Sequence, residues 1–164
     1  MNRIEERFQR LRRDGKKGFV VYIGAGDPNL EATRRLALTF DRLGVDVLEL
    51  GVPFSDPLAD GPTVQRSTQR ALENGTTTAV CLDMLRELRQ RGVDTSVMLM
   101  GYYNPILAYG TARYVQDAAA AGADLVTGVG DLTTWLSAIP GPLVLGNYVY
   151  ADGATNVRVS TAVD

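Results

Sequence analysis

The chain has 164 residues, 45% apolar and 22% charged, with a formal net charge of −2. That is the composition of one ordinary globular domain with room for a sizeable core, and no dense Lys/Arg tract points to nucleic acid or an anionic membrane. The lone cysteine, Cys81, excludes an internal disulfide and argues against a zinc site.

No apolar run reaches membrane-spanning length and the N-terminus lacks a signal-peptide core, so the expectation is a cytoplasmic protein. In chain order, Ile4, Phe8 and Leu11 fall on one face of a first helix. Arg7, Arg10, Arg12, Arg13, Lys16 and Lys17 then form its solvated side and the turn after it. Gly18 to Ile23 reads as a buried strand. Asp27 and Pro28 look like an N-cap and first-turn proline. They open a helix with Ala32, Leu36, Phe40 and Leu43 inward and Gly44 at its end.

Val45 to Val52 is the second strand, followed by a long loop to about Gly61 and a short helix from Thr63 to Glu73. Thr77 or Thr78 caps a further helix through Arg91, with Val80, Met84, Leu85 and Leu88 inward and Cys81 a packed core thiol. Ser96 to Met100 is a third strand, Gly101 to Pro105 a loop, 111–121 an Ala-rich helix and Ala123 to Val129 a fourth strand. This alternation predicts right-handed βαβ units and a parallel sheet. Beyond it, Leu132 to Ile139 is a candidate helix anchored by Trp135 and Pro142 to Tyr150 a candidate strand. The last residues, ADGATNVRVSTAVD, alternate too weakly to place.

Reactive groups in parallel α/β folds gather at the C-terminal ends of strands and on the loops that follow. Glu49 stands near the end of the second strand among Leu48, Leu50 and Val52, where a carboxylate is costly unless paired or used. Asp56 and Asp60 lie on its loop, Asp27 follows the first strand, and Tyr102 and Asn104 follow the third. In a chain without histidine, Glu49 and Asp60 are the leading acid–base candidates. Asp60 before Gly61-Pro62 is equally well read as a turn residue and cap, and Asp56 before Pro57 as a turn former. Tyr102 and Tyr103 should diverge, one toward the pocket and one toward the helix layer.

Three segments carry a family resemblance: GDP at 26–28, ELGVPFSDPLADGPTVQ at 49–65, and LMGYYNP at 99–105. Together they resemble the tryptophan synthase α-subunit family, over roughly residues 1–124. The resemblance implies a TIM-type (β/α)8 barrel, here incomplete or shortened, as one domain over 1–164 with a divergent segment at 125–164. It implies a carbon–carbon lyase that cleaves indole-3-glycerol phosphate to indole and glyceraldehyde 3-phosphate, with no metal or cofactor of its own. Indole would pass to a β subunit that uses pyridoxal phosphate. Glu49 then matches the family's catalytic glutamate and Asp60 its catalytic aspartate. Tyr22 (where the family usually has Phe), Met100 and Tyr102 match substrate-pocket positions, and Pro53, Asp56 and Asn104 the β-subunit interface.

The segment after Gly122 departs from the family pattern, and the Gly-rich turns that hold the substrate phosphate have no clear counterpart. The alternatives are therefore a non-catalytic barrel piece or a β-subunit-binding module, and exposed sheet edges would favour self-association.

Overall fold

The computed structural model describes residues 3–129, 144–151 and 154–160. Helix α1 (Arg3–Arg13) leads into β1 (Val20–Gly24), α2 (Leu30–Leu43) and β2 (Val47–Gly51). Next come α3 (Pro62–Glu73), α4 (Thr78–Gln90), β3 (Ser96–Tyr102), α5 (Tyr103–Tyr109), α6 (Thr111–Ala121) and β4 (Leu125–Val129). Strands β5 (Val144–Ala151) and β6 (Ala154–Ser160) complete the sheet among the described residues, in the order β1-β2-β3-β4-β5-β6. The first five strands run parallel. No described helix is long and apolar enough to cross a membrane.

Strand parity divides the sheet into two faces. Leu48, Leu50, Val97, Leu99 and Val126 point to one side, where they pack with Ala37, Leu82, Leu85, Leu88 and Ala118 of the helices in the main core. On the opposite face Val47, Met98 and Leu125 form a smaller layer at the start of the strands, covered by Ile4 of α1. Because Tyr22, Glu49 and Met98 are register partners, Tyr22 and Glu49 share that second face. It is the face that carries the site.

The start of the strands is built by a repeated device. Gly44-Val45-Asp46 and Gly122-Ala123-Asp124 each end a helix and enter a strand. Asp46 N–H donates to Phe19 O at 3.1 Å, and its carboxylate takes the Phe19 N–H at 2.6 Å. Asp124 does the same with Val97, at 2.9 and 2.8 Å. Helix α1 lies across both: Arg7 pairs with Asp46, and Arg3, one turn earlier, with Asp124 at 3.0 Å. A helix with only Leu11 buried is thus held by charge at the strand entrances. The solvated basic face is as expected, apart from Arg7.

Five expectations change. Strand β1 is not the buried strand expected at 18–23: it stands at the end of the strand order, and Val20 is 44% and Tyr22 38% exposed. Helix α2 buries Thr33 and Ala37, while Leu36 is 39% and Leu43 74% exposed. Small side chains bring this helix close to the sheet, and Thr33 also accepts the Gly26 N–H at 3.0 Å. Asp27 is not the N-cap: Asn29 accepts the Ala32 N–H at 2.8 Å, and the helix starts at Leu30. The 101–105 segment is no loop, since β3 runs to Tyr102 and α5 begins at Tyr103. Pro105 fits there because the first turn of a helix has no use for its missing N–H. Last, 154–160 is an antiparallel strand on β5, so the sheet is not parallel throughout. The helix proposed around Trp135 lies outside the described residues.

Candidate functional site

Glu49 sits at the middle of β2, between Tyr22 of β1 and Met98 of β3, and is half-buried. Its neighbours in sequence, Leu48 and Leu50, point the other way into the main core. The carboxylate is thereby directed to the face opposite the main core by the two-residue period of the strand. Gly51, two positions on, lies on the same face, and the Tyr22 ring and hydroxyl fill the space where its Cβ would be. Tyr22 is held over the end of β2 for that reason.

Residues 52–61 leave the strand and return to α3. Pro53 is buried, Phe54 packs on Tyr102 with ring centroids 5.2 Å apart, and Asp56 is exposed, taking the Ser55 hydroxyl at 2.5 Å. The tip folds on itself: Leu58 N–H bonds Asp56 O at 2.9 Å, and Asp60 N–H bonds Pro57 O at 3.0 Å. Gln65 from the first turn of α3 reaches back to Asp60 O at 2.9 Å. Tyr102 ties the loop to β3, accepting the Ala59 N–H at 2.9 Å.

Asp60 is half-buried at this junction. Partial burial raises its pKa above the usual carboxylate value, opposed by a hydrogen bond with the Tyr102 hydroxyl. The Tyr22 phenol is pushed up to about 12, first by burial and then by the negative charge of Asp60 and Glu49. Two carboxylates and two phenols therefore face one region at the ends of β1, β2 and β3. Such a group of interacting acids has the chemistry of proton transfer.

Of the residues singled out from sequence, Tyr22, Glu49, Asp60 and Tyr102 come together. Met100 is half-buried on β3, in register with Gly51, on the same face. Tyr102 and Tyr103 diverge as expected, with Tyr103 packed against the main core. Asn104 is exposed in the first turn of α5 and Asp56 at the loop tip, both on the rim. Cys81 is fully buried, and burial alone pushes its thiol up to about 12, the signature of a core residue. Among the described residues no group of three or more metal-ligating side chains forms.

Sequence reasoning missed Arg70. Its guanidinium grips Asp27 with two hydrogen bonds, Nε at 2.7 Å and Nη2 at 2.8 Å. No local pattern signals a partner 43 positions away.

A family model described as tryptophan synthase alpha chain matches residues 8–133. The chain is 49% identical over 124 residues to a tryptophan synthase alpha chain of Citrifermentans bemidjiense, covering 76% of this chain and 46% of that one. It is 52% identical over the same length to the corresponding chain of Xanthomonas oryzae pv. oryzae. Among solved structures, tryptophan synthase subunit alpha from Legionella pneumophila superposes with a TM-score of 0.80 at 40% identity, over 88% of this chain and 57% of that one. Tryptophan synthase from M. tuberculosis in its aminoacrylate-bound form gives 0.77 at 30% identity, over 84% and 57%. The chain spans about half the length of the curated relatives it matches, 46%. It belongs to the tryptophan synthase alpha chain family and has that family's α/β-barrel type of fold.

Proposed function

We propose that this chain holds the proton-handling part of an indole-3-glycerol phosphate lyase site. The observation that carries the reading is the meeting of Glu49 and Asp60 around Tyr22 on the face opposite the main core. Retro-aldol cleavage breaks the bond between indole C3 and the glyceryl side chain. It requires a proton delivered to C3, a proton removed from the glyceryl hydroxyl, and support for positive charge spreading onto the indole nitrogen. Glu49, flanked by Tyr22 and Met98, is assigned the proton exchange at C3 and the hydroxyl. Asp60 as carboxylate accepts the indole N–H and stabilises the developing charge. Tyr22, Met100 and Tyr102 would flank the ring. The products are indole and glyceraldehyde 3-phosphate, and indole goes on to a β subunit.

The test is indole release from indole-3-glycerol phosphate by the wild type, Glu49→Gln and Asp60→Asn, with and without a β subunit. Loss in both variants supports the reading. Equal rates in all three would end it.

A second reading, a β-subunit-binding module without its own turnover, is favoured by the rim: Asp56 and Asn104 are exposed, and Leu58 is 90% exposed at the loop tip. Raised β-subunit activity on titration, with no lyase activity in the chain alone, would select it. We also infer self-association through β1. No described strand pairs with its outer edge, and Phe19 and Val20 are 64% and 44% exposed there. Light scattering decides this, a monodisperse monomer at high concentration counting against it.

A further inference from the structure

Helix α3 begins two residues after Asp60, so whatever fixes α3 fixes that carboxylate. Yet α3 has a single buried residue, Ala71, and its N-cap, Gly61, makes no side-chain cap bond. Apolar packing does not account for its position. Polar contacts to the loop after β1 do. Arg70 holds Asp27 bidentately at 2.7 and 2.8 Å, and Asn74 donates to Pro28 O at 2.6 Å. Ser67 stands so close to Gly24 that a Cβ there would lie 2.7 Å from its hydroxyl.

We propose that the Asp27–Arg70 pair is the positioning device of Asp60, strapping α3 to the loop after β1 and so setting the Asp60 carboxylate over the end of β2. Its catalytic consequence rests on the lyase reading, while its geometric consequence does not. The chain of contact is short. Arg70 fixes the C-terminal half of α3, and a helix transmits that constraint rigidly to its first turn. There Gln65 holds Asp60 O at 2.9 Å. Exposed ion pairs as a class contribute little. This one differs in being bidentate, with planar groups matched edge to edge, and the Asp27 side chain is only 19% exposed. It also acts on a helix that buries a single residue and is otherwise held by polar contacts such as Asn74 to Pro28 O.

Amide hydrogen exchange on the full chain tests the geometry directly. In Arg70→Ala and Asp27→Asn, the amides of Ala59 and Asp60 should exchange about tenfold faster, as expected for a locally opened segment. Amides of α4 and β3 should keep wild-type rates. The charge-reversed double variant Asp27→Arg/Arg70→Asp should recover most of the protection. Unchanged exchange at 59–60 in both single variants overturns the proposal, and so does equal acceleration across the whole sheet. In the lyase assay the same variants should lose kcat with KM within about twofold of wild type, and Arg70→Lys should restore part of it. A loss in KM alone would assign the pair to substrate binding instead and overturn the positioning role. Should the wild type release no indole, the lyase reading fails on that assay while exchange still decides this one.

Discussion

Tyr22 and Glu49 are register partners on β1 and β2, side by side on the face of the sheet opposite the main core. The phenol thereby stands in the field of Glu49 and Asp60 and is pushed up to about 12, chiefly by burial. In Tyr22→Phe the component of the phenolate absorbance titration near pH 12 should disappear. The sign follows from linkage: a raised folded-state value contributes stability that is present below about pH 10, the unfolded value, and is lost as pH rises toward the folded one. The wild type should therefore lose stability between those limits more steeply than Tyr22→Phe in urea titrations. Lyase activity should survive the change, because proton transfer is assigned to the carboxylates.

Gly51 is needed for its lack of a side chain. A Cβ there would lie 2.8 Å from Tyr22 Cζ and 2.9 Å from Cε2, contacts that force the ring to move. Gly51→Ala should destabilise by about 1–3 kcal/mol, as overpacking does. In a Tyr22→Ala background the same change should cost much less, and the difference, from a double-mutant cycle by urea unfolding, is the coupling between the two positions. Additive costs would show that Tyr22 is not what fills the space.

Asp124 and Asp94 follow the same Gly-Val/Ala lead but differ in burial. The Asp124 side chain is 4% exposed and pairs with Arg89, 13% exposed, at 2.7 Å, whereas the Asp94 side chain is 96% exposed. Removing Asp124 leaves a buried guanidinium without its carboxylate, so Asp124→Ala should cost about 3–5 kcal/mol. Asp94→Ala should stay within about 0.5 kcal/mol, as surface changes do. Urea midpoints of the two variants check the contrast.

What the sequence made legible was local. An acid near the end of a parallel strand and another on the loop after it fall where such sheets gather reactive groups, so both could be placed on one rim. That placement could not show that Tyr22 would lean over Gly51. The phase of α2 differs from the sequence pattern because helical patterning follows large apolar residues, while here Thr33 and Ala37 take the buried side. Asp27 looks like a cap for a similar reason: its neighbours suit a helix start, and its true partner, Arg70, is brought to it only by the return of α3 over β1. Local chemistry survives in a sequence; contacts made by packing whole elements do not.

That long-range contact also sets a pH dependence. Asp27 is held below the usual carboxylate value, first by its hydrogen bonds to Arg70, with burial opposing and Ser67 assisting. A lowered folded-state value means stability that is present above the unfolded value, about 3.9, and is lost as pH falls through the folded one. Acidification below about pH 4 should therefore release α3 from the loop after β1 before the apolar core gives way. Amide exchange followed from pH 6 downward, corrected for intrinsic rates, should show protection in 58–73 falling ahead of protection in α4. Asp27→Asn removes the titrating group: its 58–73 segment should be weakly protected at pH 6 and change little on acidification. If that variant still shows the wild-type acid transition in α3, some other carboxylate governs the helix and Asp27 is not the group that holds it.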